Sequence, residues 1–69
     1  MIPGKLYQNL HTALTVIKVN KVISKDHYGT YYNVDWYVKD NGTGKYTTIM
    51  TDNEYYCPKD DEEKWKEIQ

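Results

Sequence analysis

Tyr31-Tyr32-Asn33-Val34-Asp35-Trp36-Tyr37-Val38-Lys39, running into Asp40-Asn41-Gly42-Thr43-Gly44, is the stretch that decides the fold. Its first nine residues alternate. Tyr32, Val34, Trp36 and Val38 fall on one side, and Tyr31, Asn33, Asp35, Tyr37 and Lys39 on the other. A period of two with the apolar set on one side predicts a half-buried β-strand. Asn41-Gly42 then predicts a hairpin of the type I′ kind, because both residues tolerate positive φ. Lys45–Thr51 is expected to return antiparallel. Loops of two or four residues leave the parity unchanged. Thr47, Ile49 and Thr51 then join the Trp36 side, and Tyr46, Thr48 and Met50 join the side of Tyr31 and Tyr37.

Upstream, Thr15–Ser24 is rich in Val and Ile and favours a strand. Ile17, Val19 and Ile23 share one face, while Val16 and Val22 share the other with Lys18 and Asn20. Either both faces are partly covered, or a bulge near Asn20-Lys21 switches the face. Lys25–Gly29 reads as a turn, with Gly29 free to take positive φ. Downstream, Asp52-Asn53 is a second turn signal. Glu54–Cys57 is a short fourth strand stopped by Pro58, which cannot donate to a ladder. Residues 60–68 read as a helix. Asp60 is the N-cap, Glu63 its capping-box partner, and Trp65 with Ile68 the apolar stripe. Nine residues do not hold a helix in water alone, so Trp65 must dock on the sheet. In the N-terminal segment, Leu6, Leu10, Ala13 and Leu14 have helical spacing after Pro3. A strand beginning at Tyr7, followed by a loop, is preferred, because such a helix would be a large lid on a small sheet.

The expected fold is therefore mainly β. It is a strongly curved antiparallel sheet of three to five strands over residues 15–57, with a short C-terminal helix at 60–68, all in one domain spanning 1–69. The alternative is an α+β fold with an additional N-terminal helix. Gly4-x-x-Tyr7, the successive strand patterns and the short terminal helix resemble an SH3-like small barrel. That resemblance implies an architecture and no function of its own. Very short, acidic-tailed chains of this kind also resemble accessory proteins of bacteriophages and other mobile elements.

Composition narrows the function classes. The chain has 69 residues, nine Lys, no Arg, ten acids and a net charge of -1. So small a domain buries only about 60% of its unfolded surface and is marginal alone. With no disulfide pair, it is expected to form a homodimer or higher homo-oligomer, or to hold a tight ligand. The charge balance argues against double-stranded nucleic acid, whose phosphates demand a basic partner. Residues 1–45 carry six Lys and three Asp, whereas residues 46–69 carry three Lys and seven acids, so the molecule is bipolar. No run is apolar enough to cross a bilayer. The start of the chain lacks a secretory pattern, and the single Cys57 suits a reduced compartment. A cytoplasmic site is expected, the host cytoplasm if the protein is viral.

Catalytic and cofactor signals are weak. Residues 39–46 superficially resemble a phosphate loop. Lys39 stands where that pattern needs Gly, and Tyr46 where it needs Ser or Thr. His11, His27 and Cys57 are too scattered for structural zinc. Cys57, followed by Pro58, lacks the base and oxyanion donors of a nucleophile. The chain is therefore expected to be no enzyme and to use no metal or cofactor.

The informative feature is eight Tyr in so short a chain. Tyr joins a large ring to a polar tip, which suits interfaces. Tyr31, Asn33, Asp35, Tyr37, Lys39, Lys45 and Tyr46 are the expected ligand- or partner-binding residues, on the outward face of the sheet. The first expectation is a non-catalytic binding module. It would be an inhibitor or anti-defence protein of a phage or mobile element that occludes a host protein through this face. The alternative is a small-molecule binder that sequesters a signalling nucleotide, with rings stacking on the base and Lys on the phosphate.

Overall fold

The computed structural model describes residues 1–68. They form β1 (Leu6–Asn9), β2 (Thr15–Lys25), β3 (Gly29–Lys39), β4 (Tyr46–Pro58), a 3-10 turn (Lys59–Lys64) and β5 (Trp65–Glu67). The fold is mainly β, a single five-stranded antiparallel sheet in the order β4-β3-β2-β1-β5.

The N-terminal segment is strand and loop, not helix. β1 pairs Tyr7 with Ile17, and the loop after it is held by Asn9, whose Oδ1 accepts the N–H groups of His11 at 2.8 Å and Thr12 at 3.0 Å. In β2 the register against β3 slips between Val19 and Lys21, the second of the two readings its alternation allows. The turn into β3 uses Asp26, whose Oδ1 accepts the N–H groups of Tyr28 and Gly29. Gly29 does not take positive φ. It is glycine because a Cβ there would meet the Cys57 carbonyl oxygen at 2.5 Å.

Three further expectations are corrected. The β3–β4 turn places positive φ at Gly44, not at Asn41 or Gly42. Asp40 organises it, its Oδ1 accepting from the Gly42 N–H at 2.7 Å and the Thr43 N–H at 3.2 Å. Lys39 pairs with Tyr46, so the connection is longer than a two-residue turn, yet parity at Tyr46, Thr47 and Thr48 is kept. Asp52-Asn53 is no turn. The two strands expected on either side of it are one strand, β4, with register shifts opposite Trp36 and Asp35. Through the first shift Met50, not Ile49, comes to oppose Trp36. Finally, the helix expected over 60–68 is a 3-10 turn ending at Lys64. Pro58 precedes it and no side chain caps it. Its apolar residue, Trp65, opens β5 against Asn9. The strand satisfies backbone groups that a nine-residue helix would leave to water at both ends.

The core lies on one side of the sheet. Ile17, Val19, Val34 and Cys57 are fully buried there, with Tyr7, Tyr32 and Trp65 around them. Each buried aliphatic side chain contributes about 1.5–3 kcal/mol. The sheet curls over this cluster until its two outermost strands touch, the Trp65 indole N–H donating to the Tyr55 hydroxyl at 3.2 Å. Among the described residues no backbone pairing joins β4 to β5, so the sheet is curled and open. Glu62 in the 3-10 turn accepts from the Tyr32 hydroxyl at 2.8 Å and from the Met1 ammonium at 2.7 Å, closing one end.

The core ends before the sheet does. Trp36 is half-buried, its N–H donating to Asn53 Oδ1 at 2.9 Å, and Val38 beyond it is exposed. The molecule is elongated, 40 Å along its longest axis against 22 and 17 Å along the others. Among the described residues no helix is long and apolar enough to cross a membrane.

Candidate functional site

The seven residues expected to form the site all fall on the face of β3 and β4 away from the core, or in the hairpin loop. They do not form one site. Tyr31 and Tyr37 are six residues apart on an extended strand, a separation of about 20 Å. The face divides into three parts along that line.

At one end Tyr31 packs on Tyr56 of β4, ring centroids 4.7 Å apart. Register sets this pair directly opposite, the commonest way a hairpin stabilises itself.

The middle is polar and internally satisfied. Asn20 Nδ2 donates to Asn33 Oδ1 at 2.8 Å and to Asp35 Oδ1 at 2.9 Å. Asp35 Oδ1 also accepts the Asp52 N–H at 3.0 Å. The hydrogen bond from the Asp52 backbone and that from Asn20, with the charge of Lys18, hold the Asp35 carboxyl below its ordinary range. It is a fixed anion at neutral pH, engaged in organising β4.

The other end is concave. Tyr37 and Tyr46 lie edge to face, centroids 6.3 Å apart, and wall an open groove of ≈ 520 Å³. Its other lining residues are Gly4, Lys5, Leu6, Val16 and Lys18. Val16 is the floor. It stands opposite Tyr37, is 1% exposed, and lies outside the main core cluster. Burial and the neighbouring Asp35 carboxylate raise the Tyr37 phenol above its ordinary value, so it remains a neutral donor. The result is a lining of two aromatic rings, the aliphatic Leu6 and Val16, and two Lys side chains.

Lys39 and Lys45 do not line this groove; Lys5 and Lys18 take the place they were expected to fill. The signal for Lys18 is present in the sequence, since it shares Val16's face of β2. It becomes legible only once β2 is paired with β3, which sets Lys18 opposite Asp35 and Leu6. Nothing local marks Lys5, which the pairing of β1 delivers to the site.

Elsewhere the chemistry is muted. Among the described residues no group of His, Cys, Asp or Glu is arranged to hold a metal ion. Cys57 is fully buried, and burial with the nearby Glu62 carboxylate pushes its thiol up to about 12. A protonated, inaccessible thiol is no nucleophile. Comparison with protein-family patterns, with curated proteins and with solved structures returned no match.

Proposed function

We propose that this chain is a non-catalytic binding module, of the kind a phage or mobile element uses to occlude a host protein, with the outer face of its sheet as the recognition surface. The observation that carries this reading is the groove between Tyr37 and Tyr46 over buried Val16. Interface energy concentrates where an aromatic-lined pocket takes an anchor side chain and excludes water. Rigid Tyr rings on a sheet lose little conformational entropy when they do so. The return of β5 to β1 after a 3-10 turn supports the SH3-like reading of the architecture.

The test is affinity capture from host lysate followed by titration of the purified partner. Tyr37→Ala is expected to weaken that partner at least tenfold while the denaturation profile stays cooperative. Equal affinity for both chains removes the groove from the reading.

The groove also favours a second reading. Its volume lies within the ~300–1,000 Å³ of small-molecule sites, and a lining that holds Lys5 and Lys18 beside two Tyr rings suits a planar ring bearing phosphate or carboxylate. A nucleotide sequestered there is expected to raise thermal stability markedly at saturation. No shift with millimolar cyclic or linear nucleotides decides against it.

A further inference from the structure

The net charge of -1 hides a basic strip. β1 and β2 contain no acidic residue. Lys18 and Lys21 of β2 are exposed, and register sets them opposite Asp35 and Asn33, which places both on the outward side of the sheet. Lys5, just before β1, joins Lys18 in the lining of the groove. The acids nearest this strip, Asp35, Asp52 and Glu54, belong to β3 and β4. Of these, the Asp35 carboxylate is taken up by Asn20 and by the Asp52 N–H. The densest acidic run, Asp60–Glu63, lies in the 3-10 turn, whose Glu62 reaches the Tyr32 hydroxyl on the core side.

Two pairs of rings bracket the strip. Tyr37 and Tyr46 stand at one end, in the groove, and Tyr31 and Tyr56 at the other. Tyr37 is opposite Val16 and Tyr31 opposite Ser24, so Lys18 and Lys21 fall between the pairs along β2. Gly29 makes room for the far pair, since a Cβ there would stand 2.8 Å from the Tyr56 ring. The pairs are about 20 Å apart, more than one nucleotide spans and suited to a short run of them. A basic track with aromatic platforms is how single strands are held without regard to sequence, because every base offers a π-face and every phosphate a charge. A run of carboxylates would satisfy the Lys and give the rings nothing flat to stack on.

We propose that the outer face binds a single-stranded oligonucleotide. One base enters the Tyr37–Tyr46 groove, another stacks on Tyr31 and Tyr56, and the phosphates between them meet Lys18 and Lys21. This rests on the groove accepting a nucleotide, the second of the two readings above, and extends that reading from one nucleotide to a strand.

The experiment is fluorescence anisotropy of fluorescein-labelled decathymidylate and decauridylate titrated with the intact chain at low salt, with thymidine monophosphate as competitor. At least one decamer is expected to bind, and the monophosphate to compete at least tenfold more weakly than the unlabelled decamer. Tyr37→Ala is expected to weaken both ligands about tenfold, and Tyr56→Ala the decamer alone by a similar factor. Lys18→Ala combined with Lys21→Ala should flatten the slope of log affinity against log salt by about 1.4. Far-ultraviolet circular dichroism checks that each variant is folded. Should Tyr56→Ala fail to fold, Lys21→Glu, at an exposed position, takes its place with the same expected loss. Monophosphate and decamer that bind equally well, both through Tyr37, keep the groove and overturn the strand. No binding of either at ~100 µM protein removes the nucleotide reading and the strand together. A decamer indifferent to Tyr56→Ala and Lys21→Glu overturns the proposal, as does a decaglutamate peptide that displaces the decamer as readily as its unlabelled form, because the face would then read charge alone.

Discussion

The carboxylate of Asp35, midway along β3, accepts the backbone N–H of Asp52 at 3.0 Å, and among the described residues Asp52 is the one non-glycine residue with positive φ, at 50°. A side chain on one strand thus pins the irregular point of the next. A hydrogen bond to a charged acceptor contributes about 1.5–3 kcal/mol when buried, and about 1 kcal/mol at a site as open as this. Asp35→Ala is expected to lower unfolding free energy by about 1 kcal/mol at pH 7. The folded carboxyl titrates below its ordinary value, so its contribution is complete above the unfolded value of about 3.9 and is lost as pH falls through the lower, folded value. The wild-type advantage over Asp35→Ala should therefore shrink below about pH 4, as measured by urea denaturation across a pH series. A difference that stays constant to pH 2 would assign the effect to packing.

Trp65 is the staple between the two ends of the sheet. It pairs with Asn9, packs against Trp36 and Tyr55, and is nearly buried. Removing a buried Trp costs about 3–5 kcal/mol. A chain of this size has about 3–10 kcal/mol in all. Trp65→Ala is expected to unfold the protein at 37 °C, seen as loss of near-ultraviolet circular dichroism. Trp65→Phe, which keeps a smaller aromatic ring but loses the hydrogen bond to Tyr55 and part of the packing, should cost about 1–3 kcal/mol, less than alanine.

How these residues read before folding explains what the sequence could disclose. Alternation in Tyr31–Lys39 identifies the faces of β3, and Tyr32 and Val34 are buried accordingly. The same alternation places Val38 inward, yet it is exposed, because periodicity reports the face and not how far the core extends under it. The slip at Asn20 is visible because two apolar sets compete within one strand. β5 is hidden for the opposite reason. Three residues carry no period, and the capping pattern around Asp60 is genuine local helix chemistry that sheet pairing with β1 outweighs. The groove is hidden because Lys5, Val16, Tyr37 and Tyr46 come from four strands and their approaches. Of these, only Tyr37 and Tyr46 lie within one predicted hairpin.

Two glycines should respond to alanine for different reasons. At Gly29 a Cβ would lie 2.5 Å from the Cys57 carbonyl oxygen, in backbone that cannot give way cheaply. Overpacking of this kind costs about 1–3 kcal/mol, and Gly29→Ala should lose that much by denaturant unfolding. At Gly44 there is open space but a φ of +74°. Gly44→Ala should cost about 1 kcal/mol through the backbone alone, and Gly44→Asn, which tolerates this region, distinctly less. Equal losses for Ala and Asn at Gly44 would contradict the backbone account.

Cys57 makes the protein sensitive to alkali. Burial, then the Glu62 carboxylate, push its folded thiol up to about 12, while an unfolded thiol titrates near about 8.5. Between those values the unfolded chain has released a proton that the folded chain keeps, so stability falls as pH rises. It is fully present below about pH 8.5 and is lost on the way to about pH 12. Tyr55, raised to about 12 chiefly by burial, adds a similar loss that begins higher, near the ordinary phenol value of about 10. Cys57→Ala should be less stable at pH 7, because it opens a cavity, but should show a shallower decline between pH 8.5 and 10 than the wild type. The thiol itself gives an independent readout. At pH 8 it should react with an aromatic disulfide reagent only as fast as the whole molecule unfolds, and the rate should track added urea. Prompt reaction in the absence of denaturant would mean that the strand pair β3–β4 opens locally around Cys57, and the alkaline argument would fail with it.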